Sequence, residues 1–150
     1  MHLFQNILHP TDYSAPSEFA FLMACSVARD HGARLLVLHV ASTLGPEQVT
    51  MGQARTQLEP EAYRQQLWTD LCRVKPPDAT VPVEHILAEG DAATEIVRVA
   101  GERGCDLIVL ATHGRTGLDR LLMGSVAEHV VRKAPCPVLT IRSPITQPSA

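Results

Sequence analysis

The residues best able to do chemistry lie between positions 111 and 125, in the run Ala-Thr-His-Gly-Arg-Thr-Gly-Leu-Asp-Arg-Leu-Leu-Met-Gly-Ser. Three glycines, Gly114, Gly117 and Gly124, separate a short apolar stretch from a segment of helical character. Ser125-Val126-Ala127-Glu128 has the S-x-x-E spacing of a capping box, which predicts Ser125 as a helix N-cap. Amides of a first helical turn have no acceptor inside the helix, and the dipole makes that end positive. With Gly124 leaving the approach open, an anion can sit there. Arg115 and Arg120 add positive charge, so phosphate is the natural anion, while Arg132 and Lys133 suit the negative end of the same helix. The run matches neither G-x-x-x-x-G-K-[ST] nor G-x-G-x-x-G. A plain helix cap with surface arginines accounts equally well for Gly124, Ser125 and Glu128.

Asp12 is the second candidate. Its carboxylate can accept from an exocyclic amine of a ligand, or it can cap the helix that opens near Ser14. His9 directly follows the first apolar run and His39 lies in the second, on neighbouring strands, but no third ligand stands at metal spacing. They read as hydrogen-bonded core or pocket-edge histidines. His2, His31, His85 and His129 have no evident partner. No G-x-S-x-G elbow supports a catalytic triad. Cys136, between Pro135 and Pro137, reads as structural, and Tyr63, Leu67 and Trp68 read as core. Cys25, Cys72, Cys105 and Cys136 contain no C-x-x-C pair and fit reduced, mostly buried thiols, with a disulfide left open by spacing alone. No residue is assigned a catalytic role.

These residues need elements to position them. Apolar runs at 3–8, 35–40, 81–88, 107–111 and 138–141 predict five strands, alternating with helical segments. The first helix opens at Ser14, Pro16 and Glu18, carries Phe19, Met23 and Val27 on one face, and stops at Gly32. Residues 41–58, with Gly45-Pro46 and Gly52, form the longest irregular stretch and the one expected to be mobile. Pro60 opens a helix with Tyr63, Leu67 and Leu71 on one face. Asp91 caps another, whose inner face is Ala93, Ile96, Val97 and Ala100. Strand–helix alternation predicts an open α/β sheet with parallel strands and right-handed crossovers. The first, second and fourth strands read as covered on both faces and belong at the centre, whereas Pro82 marks the third as an edge. The order 3-2-1-4-5, with helices on both faces, meets these conditions. It sets the ligand crevice between the ends of strands one and four, at Pro10-Thr11-Asp12 and Ala111-Thr112-His113-Gly114.

Composition bounds the rest. The chain has 150 residues, 45% of them hydrophobic and 19% charged, enough for one self-sufficient domain at 1–143 with a polar, frayed tail at 144–150. Thirteen Lys and Arg against sixteen Asp and Glu leave a formal charge of −3, which argues against a dedicated nucleic-acid binder. No signal peptide and no bilayer-length apolar run is visible, so a cytoplasmic protein without a membrane partner is expected.

The motifs resemble those of the universal stress protein family. Ile7-Leu-His-Pro-Thr-Asp-Tyr-Ser14 is similar to that family's first strand and Asp-bearing turn. Leu36-Val-Leu-His-Val40 is similar to its second strand, and Asp106 to Ser125 with Pro135-Cys-Pro-Val-Leu139 to its C-terminal half. The resemblance covers nearly the whole chain outside residues 42–80. It implies a five-stranded domain of the Rossmann-like, adenine nucleotide alpha hydrolase-like kind. It also implies a homodimer paired through the last strand, Val138 to Ile141, where a charge at Ile141 would give monomers. The family's ATP-binding pattern, G-x-x-G-x9-G-[ST], falls on residues 111–125 with full spacing and with Ala111 in place of the first glycine. By this resemblance Asp12 holds the adenine amino group, the Val40 backbone reads the ring edge, and Pro10 and Thr11 line the pocket. Gly114, Arg115, Gly124, Ser125 and Val126 surround ribose and phosphates, with His113 close by. The resemblance thus implies a stress-response protein that binds ATP, alone or with Mg or Mn, as a switch or sensor with little or no hydrolysis. A protein partner is left unidentified. Two alternatives stay open: a family member acting through protein contacts without nucleotide, and a slow ATP hydrolase or nucleotidyl transferase.

Overall fold

Residues 2–42, 60–113 and 123–143 are described by the computed structural model, and among them strands and helices alternate without exception. In chain order they are β1 Asn6–Pro10, α1 Ala15–His31, β2 Arg34–Ala41, α2 Pro60–Cys72, β3 Val83–Glu89, α3 Ala92–Glu102, β4 Leu107–Ala111, α4 Ser125–Lys133 and β5 Val138–Ile141. All strand pairs are parallel, in the order β3-β2-β1-β4-β5. Alternate strand residues feed two cores. Ile7, Leu35, Val37, Leu107 and Val109 pack under α1 and α2, whereas Leu8, Leu36, Leu38, Ile108 and Leu110 pack under α3 and α4. Burial on both faces is what makes the central strands continuous apolar runs.

Several boundaries differ from the sequence reading. The first strand starts at Asn6 instead of Leu3, because the Gln5 and Asn6 amides donate to the Asp106 carboxylate at 2.9 and 3.2 Å. Phe4 turns away to meet the His31 ring at the end of α1. On α1 the buried stripe is Ser17, Ala20, Phe21, Ala24, Cys25 and Ala28, while Met23 faces outward and Phe19 and Val27 are half-buried. Ala20, Ala24 and Ala28 recur every four residues, so the helix lies close to the sheet on small side chains. Gly32 ends α1 in the left-handed region, at φ 63°, its amide bonded to the Ala28 and Arg29 carbonyls. On α3 Val99 takes the place expected of Val97. Trp68 is 46% exposed and not core; on α2 only Leu71 is fully buried, with Tyr63 and Leu67 half-buried. Pro82 precedes β3, which does form a sheet edge. Ala41 closes β2; the irregular stretch from 43 on and the tail from 144 on lie outside the described residues.

All four cysteines are free thiols. Cys25 and Cys105 are buried, and burial pushes both thiols up to about 11. Cys136, half-buried near Asp106, is raised as well, first by burial and then by that carboxylate. These three raised thiols are not poised as nucleophiles. No helix among the described residues is long and apolar enough to cross a membrane.

The sheet opens between its two central strands. β1 follows β2 as far as Pro10 opposite Leu38, and the Thr11 amide still reaches the Leu38 carbonyl at 2.8 Å. Its pairing with β4 stops at Leu8 opposite Ile108. On that register the next rung would bring the Pro10 nitrogen to the Val109 carbonyl, and proline has no N–H to give. The His9 ring supplies the missing donor, its Nδ1–H meeting Val109 O at 2.9 Å. Nε2 is then a buried lone pair without a protein partner. Burial lowers the His9 pKa from 6.5 to about 4, against the opposing pulls of the Val109 carbonyl and Asp12. His9 is therefore neutral in the fold, and the unfolded chain binds the extra proton. The stability this holds is fully present above pH 6.5 and is lost as pH falls toward 4, by about 3 kcal/mol. Urea midpoints should decline across that window, and His9→Asn should flatten the slope; an unchanged slope would place the acid-sensitive group elsewhere.

Candidate functional site

The opening between β1 and β4 is a cavity of about 330 Å³, at the small end of small-molecule sites. Its walls come from both central strand ends, β2, α3 and the start of α4. Of the residues singled out in the sequence, Pro10, Thr11, Asp12, Val40, Ala111, His113, Gly124, Ser125 and Val126 all line it. Gly114 and Arg115 lie outside the described residues, as do Gly117 and Arg120. Thr112, at the expected end of β4, lines it too, whereas sequence reasoning missed Ser17, Leu38, Ala92, Ile96, Leu110 and Ala127. Leu38 and Leu110 carry a usable signal, since each lies near the end of a central strand. Ala92 and Ile96 carry none, because only the packing of α3 across the sheet brings them there.

Asp12 sits in a turn held from several directions. Its Oδ1 accepts from the Ser14 amide at 3.0 Å and from the Ser14 hydroxyl at 2.5 Å. Ser14 is the N-cap of α1, its Oγ accepting from the Ser17 amide at 3.2 Å. Asp12 thus braces the cap residue and is not the cap itself. Thr11 Oγ1 accepts from the Tyr13 amide at 3.1 Å and from the Ser17 hydroxyl at 3.0 Å. Tyr13 holds φ 63°, a left-handed conformation that costs an aromatic residue of order 1–3 kcal/mol. Its ring rests on that of His39, centroids 4.6 Å apart. His39 lines the cavity, as a pocket-edge histidine, and donates from Nδ1 to the Thr11 carbonyl at 2.9 Å. Both central histidines are spent on carbonyls. Among the described residues no group of three His, Cys, Asp or Glu comes together as a metal site.

The opposite wall is the start of α4. Gly124, not Ser125, is its N-cap, so the expected capping box does not form. Glu128 turns instead to Arg132, at 2.8 Å. Having no side chain, Gly124 gives the first-turn amides no side-chain cap, and Ser125, Val126 and Ala127 line the cavity. The glycine is needed for contact, not for φ. Its amide donates to the Thr112 carbonyl at 2.7 Å, and a Cβ there would stand 3.1 Å from that same oxygen. Ala111, the departure from the motif, lies in β4 opposite Ile141 and packs with the α1-side core. The wall formed by Ile96, Leu110 and Ala127 belongs to the other face. Ala111 thus packs against the core under α1 while still lining the cavity.

An open parallel sheet with its crevice outside the carboxyl ends of β1 and β4, where the crossovers reverse, defines an α/β domain of the doubly wound class. The model of the universal stress protein family matches residues 3–142, and the chain belongs to that family. It is similar to universal stress protein MJ0531 of Methanocaldococcus jannaschii, with 34% identity over 95% of this chain and 85% of that one. Among solved structures, universal stress protein MJ0577 of the same organism is 27% identical, covering 96% of this chain and 99% of its own, with TM-score 0.72. The universal stress protein from Archaeoglobus fulgidus in complex with dAMP shares the fold, at 21% identity, 94% and 99% coverage and TM-score 0.59.

Two glycine-related substitutions separate contact from backbone freedom. Ala111→Gly should cost about 1 kcal/mol in denaturant melts, through backbone entropy and a lost methyl contact. Gly124→Ala should cost about 1–3 kcal/mol, because α4 must move off β4. The reverse ranking would place the critical close approach at residue 111.

Proposed function

We propose that this protein binds ATP in the crevice between β1 and β4 and acts as a nucleotide-dependent stress-response switch or sensor, with little or no hydrolysis. The observation that carries the reading is the convergence of an acceptor carboxylate, the end of a central strand pair and an uncapped helix start on one cavity. Asp12 takes the adenine 6-amino group, an acceptor facing a donor. The Val40 main chain reads the ring edge, with Pro10 and Thr11 beside it. Leu38, Ile96 and Leu110 offer the flat base an apolar floor. Ser125 and Val126 amides hold phosphate at the helix start, where the dipole favours it. His113 stands at the ribose and phosphate end, and the family pattern adds Gly114 and Arg115. The fold neighbour from Archaeoglobus fulgidus, solved in complex with dAMP, supports an adenine nucleotide as the ligand class.

Slow hydrolysis at most follows from where the carboxylate is. Asp12 is the one acidic residue among the described residues lining the cavity, and holding adenine removes it from the far phosphate. Mg or Mn, if it accompanies ATP, is then a counter-ion of the phosphates. Occupancy reaches the molecular surface by a short path. The Gly124 amide is bonded to Thr112 O at 2.7 Å, and the Thr112 amide to Ile141 O of β5 at 3.0 Å. We place the homodimer contact on that edge strand, where Leu139 is 38% exposed. Ile141 is only 8% exposed and belongs to the core, so a charge there would disrupt the fold instead of separating copies.

The test is calorimetric titration of nucleotide-stripped protein with Mg-ATP. Saturable binding should weaken at least about tenfold in Asp12→Ala and in Ser125→Glu, a change that suits a helix start but repels phosphate. A folded parent that binds nothing at millimolar ATP would overturn the reading in favour of a protein-contact module. For the dimer, Leu139→Glu should give monomers by light scattering with an unchanged melting temperature; a persisting dimer would move the interface off β5.

A further inference from the structure

The β1–β2 ladder ends in an unusual way, and the residue responsible touches the proposed ligand pocket. Thr11 stands opposite His39 in the register that pairs Pro10 with Leu38, and its amide donates to Leu38 O at 2.8 Å. In a parallel ladder the rungs are evenly spaced, so the following rung would send the Val40 N–H to the Thr11 carbonyl. The other edge of β2 is committed to β3: the Leu35 amide reaches Pro82 O at 2.9 Å, and Ala41 O accepts from the Gly90 amide at 3.0 Å. Even-numbered β2 residues therefore face β1, and Val40 is the last of them. The Thr11 carbonyl is taken instead by the His39 ring, whose Nδ1–H lies 2.9 Å away. Tyr13, in its left-handed conformation, lays its ring on His39 and holds it in place.

We propose that His39 is a positioning residue that stops the β1–β2 ladder at Thr11. By occupying that carbonyl it leaves the Val40 main chain to the ligand and aims the Asp12 turn at the purine 6-position. This rests on the adenine-nucleotide reading above and adds a residue that sets base selectivity. The chemistry predicts which analogue reports on it. ITP differs from ATP by a 6-oxo group for the 6-amino group and a protonated ring nitrogen, so an acceptor carboxylate and a main-chain N–H aimed at that edge reject it. A site whose polar groups are built for one hydrogen-bonding pattern discriminates strongly against another.

The test compares the parent with His39→Asn, whose amide nitrogen can occupy the Nδ1 position, and His39→Leu, which has no donor. ATP and ITP affinities are measured by calorimetry, Val40 amide exchange by NMR, and melting temperature in parallel. His39→Asn should stay within about threefold of the parent in its ATP-to-ITP ratio. His39→Leu should lose about tenfold or more of that ratio, while its Val40 amide exchanges more slowly as it closes onto Thr11. A folded His39→Leu protein with the parent's ratio and the parent's Val40 exchange would overturn the proposal. If the parent binds neither nucleotide, the nucleotide reading falls. Val40 exchange then decides the ladder role alone: slowing in His39→Leu upholds it, and no change overturns it.

Discussion

A proline at the end of a central strand governs this molecule. Pro10 cannot donate to the sheet, so β1 parts from β4 just where both strands are buried on either side. The crossovers reverse at the same place. Two histidines bond main-chain carbonyls at this strand end, and the first of them replaces the donor that Pro10 lacks. His9 satisfies Val109 on the β4 side, and His39 satisfies Thr11 on the β2 side. Without the His9 donor, the buried Val109 carbonyl would stand unpaired at a cost of about 1–3 kcal/mol. The crevice is thus stabilised by the groups that border it.

Other features follow from keeping that crevice open yet rigid. On one side the Asp12 turn is over-determined, with Thr11, Ser14, Ser17 and His39 all engaged, which is how a left-handed Tyr13 is tolerated. On the other, Gly124 lets α4 approach the end of β4 closely enough for a 2.7 Å bond. Both walls are anchored to main chain, and the apolar floor between them belongs to the α3/α4 core. Such a site is preorganised, so little ordering of the described walls is left for a ligand to bring about. Main-chain bonds also tie this end to the sheet edge through Thr112 and Ile141.

Strand order, the two core faces and the location of the crevice were legible because they depend on periodicity and on where polar residues interrupt apolar runs. β4 and β5 match the sequence reading to the residue. Helix faces were less legible. On α1 an alanine stripe, not the line of large residues, meets the sheet, since close packing favours small side chains when the partner surface is already bulky. Trp68 went the same way: α2 lies over the β3 edge, where little surface is available to cover it. The capping box at Ser125 failed because the helix begins one residue earlier, drawn toward Thr112 by the Gly124 amide.

From sequence alone came the elements, their order, the candidate residues on two strand ends and the family, because these are set by local pattern and by motif. Tertiary structure decided what each residue does. That His9 and His39 serve carbonyls and not a metal depends on which rung of a ladder is missing, and this requires the register between strands distant in sequence. The fate of Ala111 likewise depends on which face its methyl meets. Hydrogen-bond direction and side-chain facing are properties of paired strands, and a single chain read along its length contains no pairing.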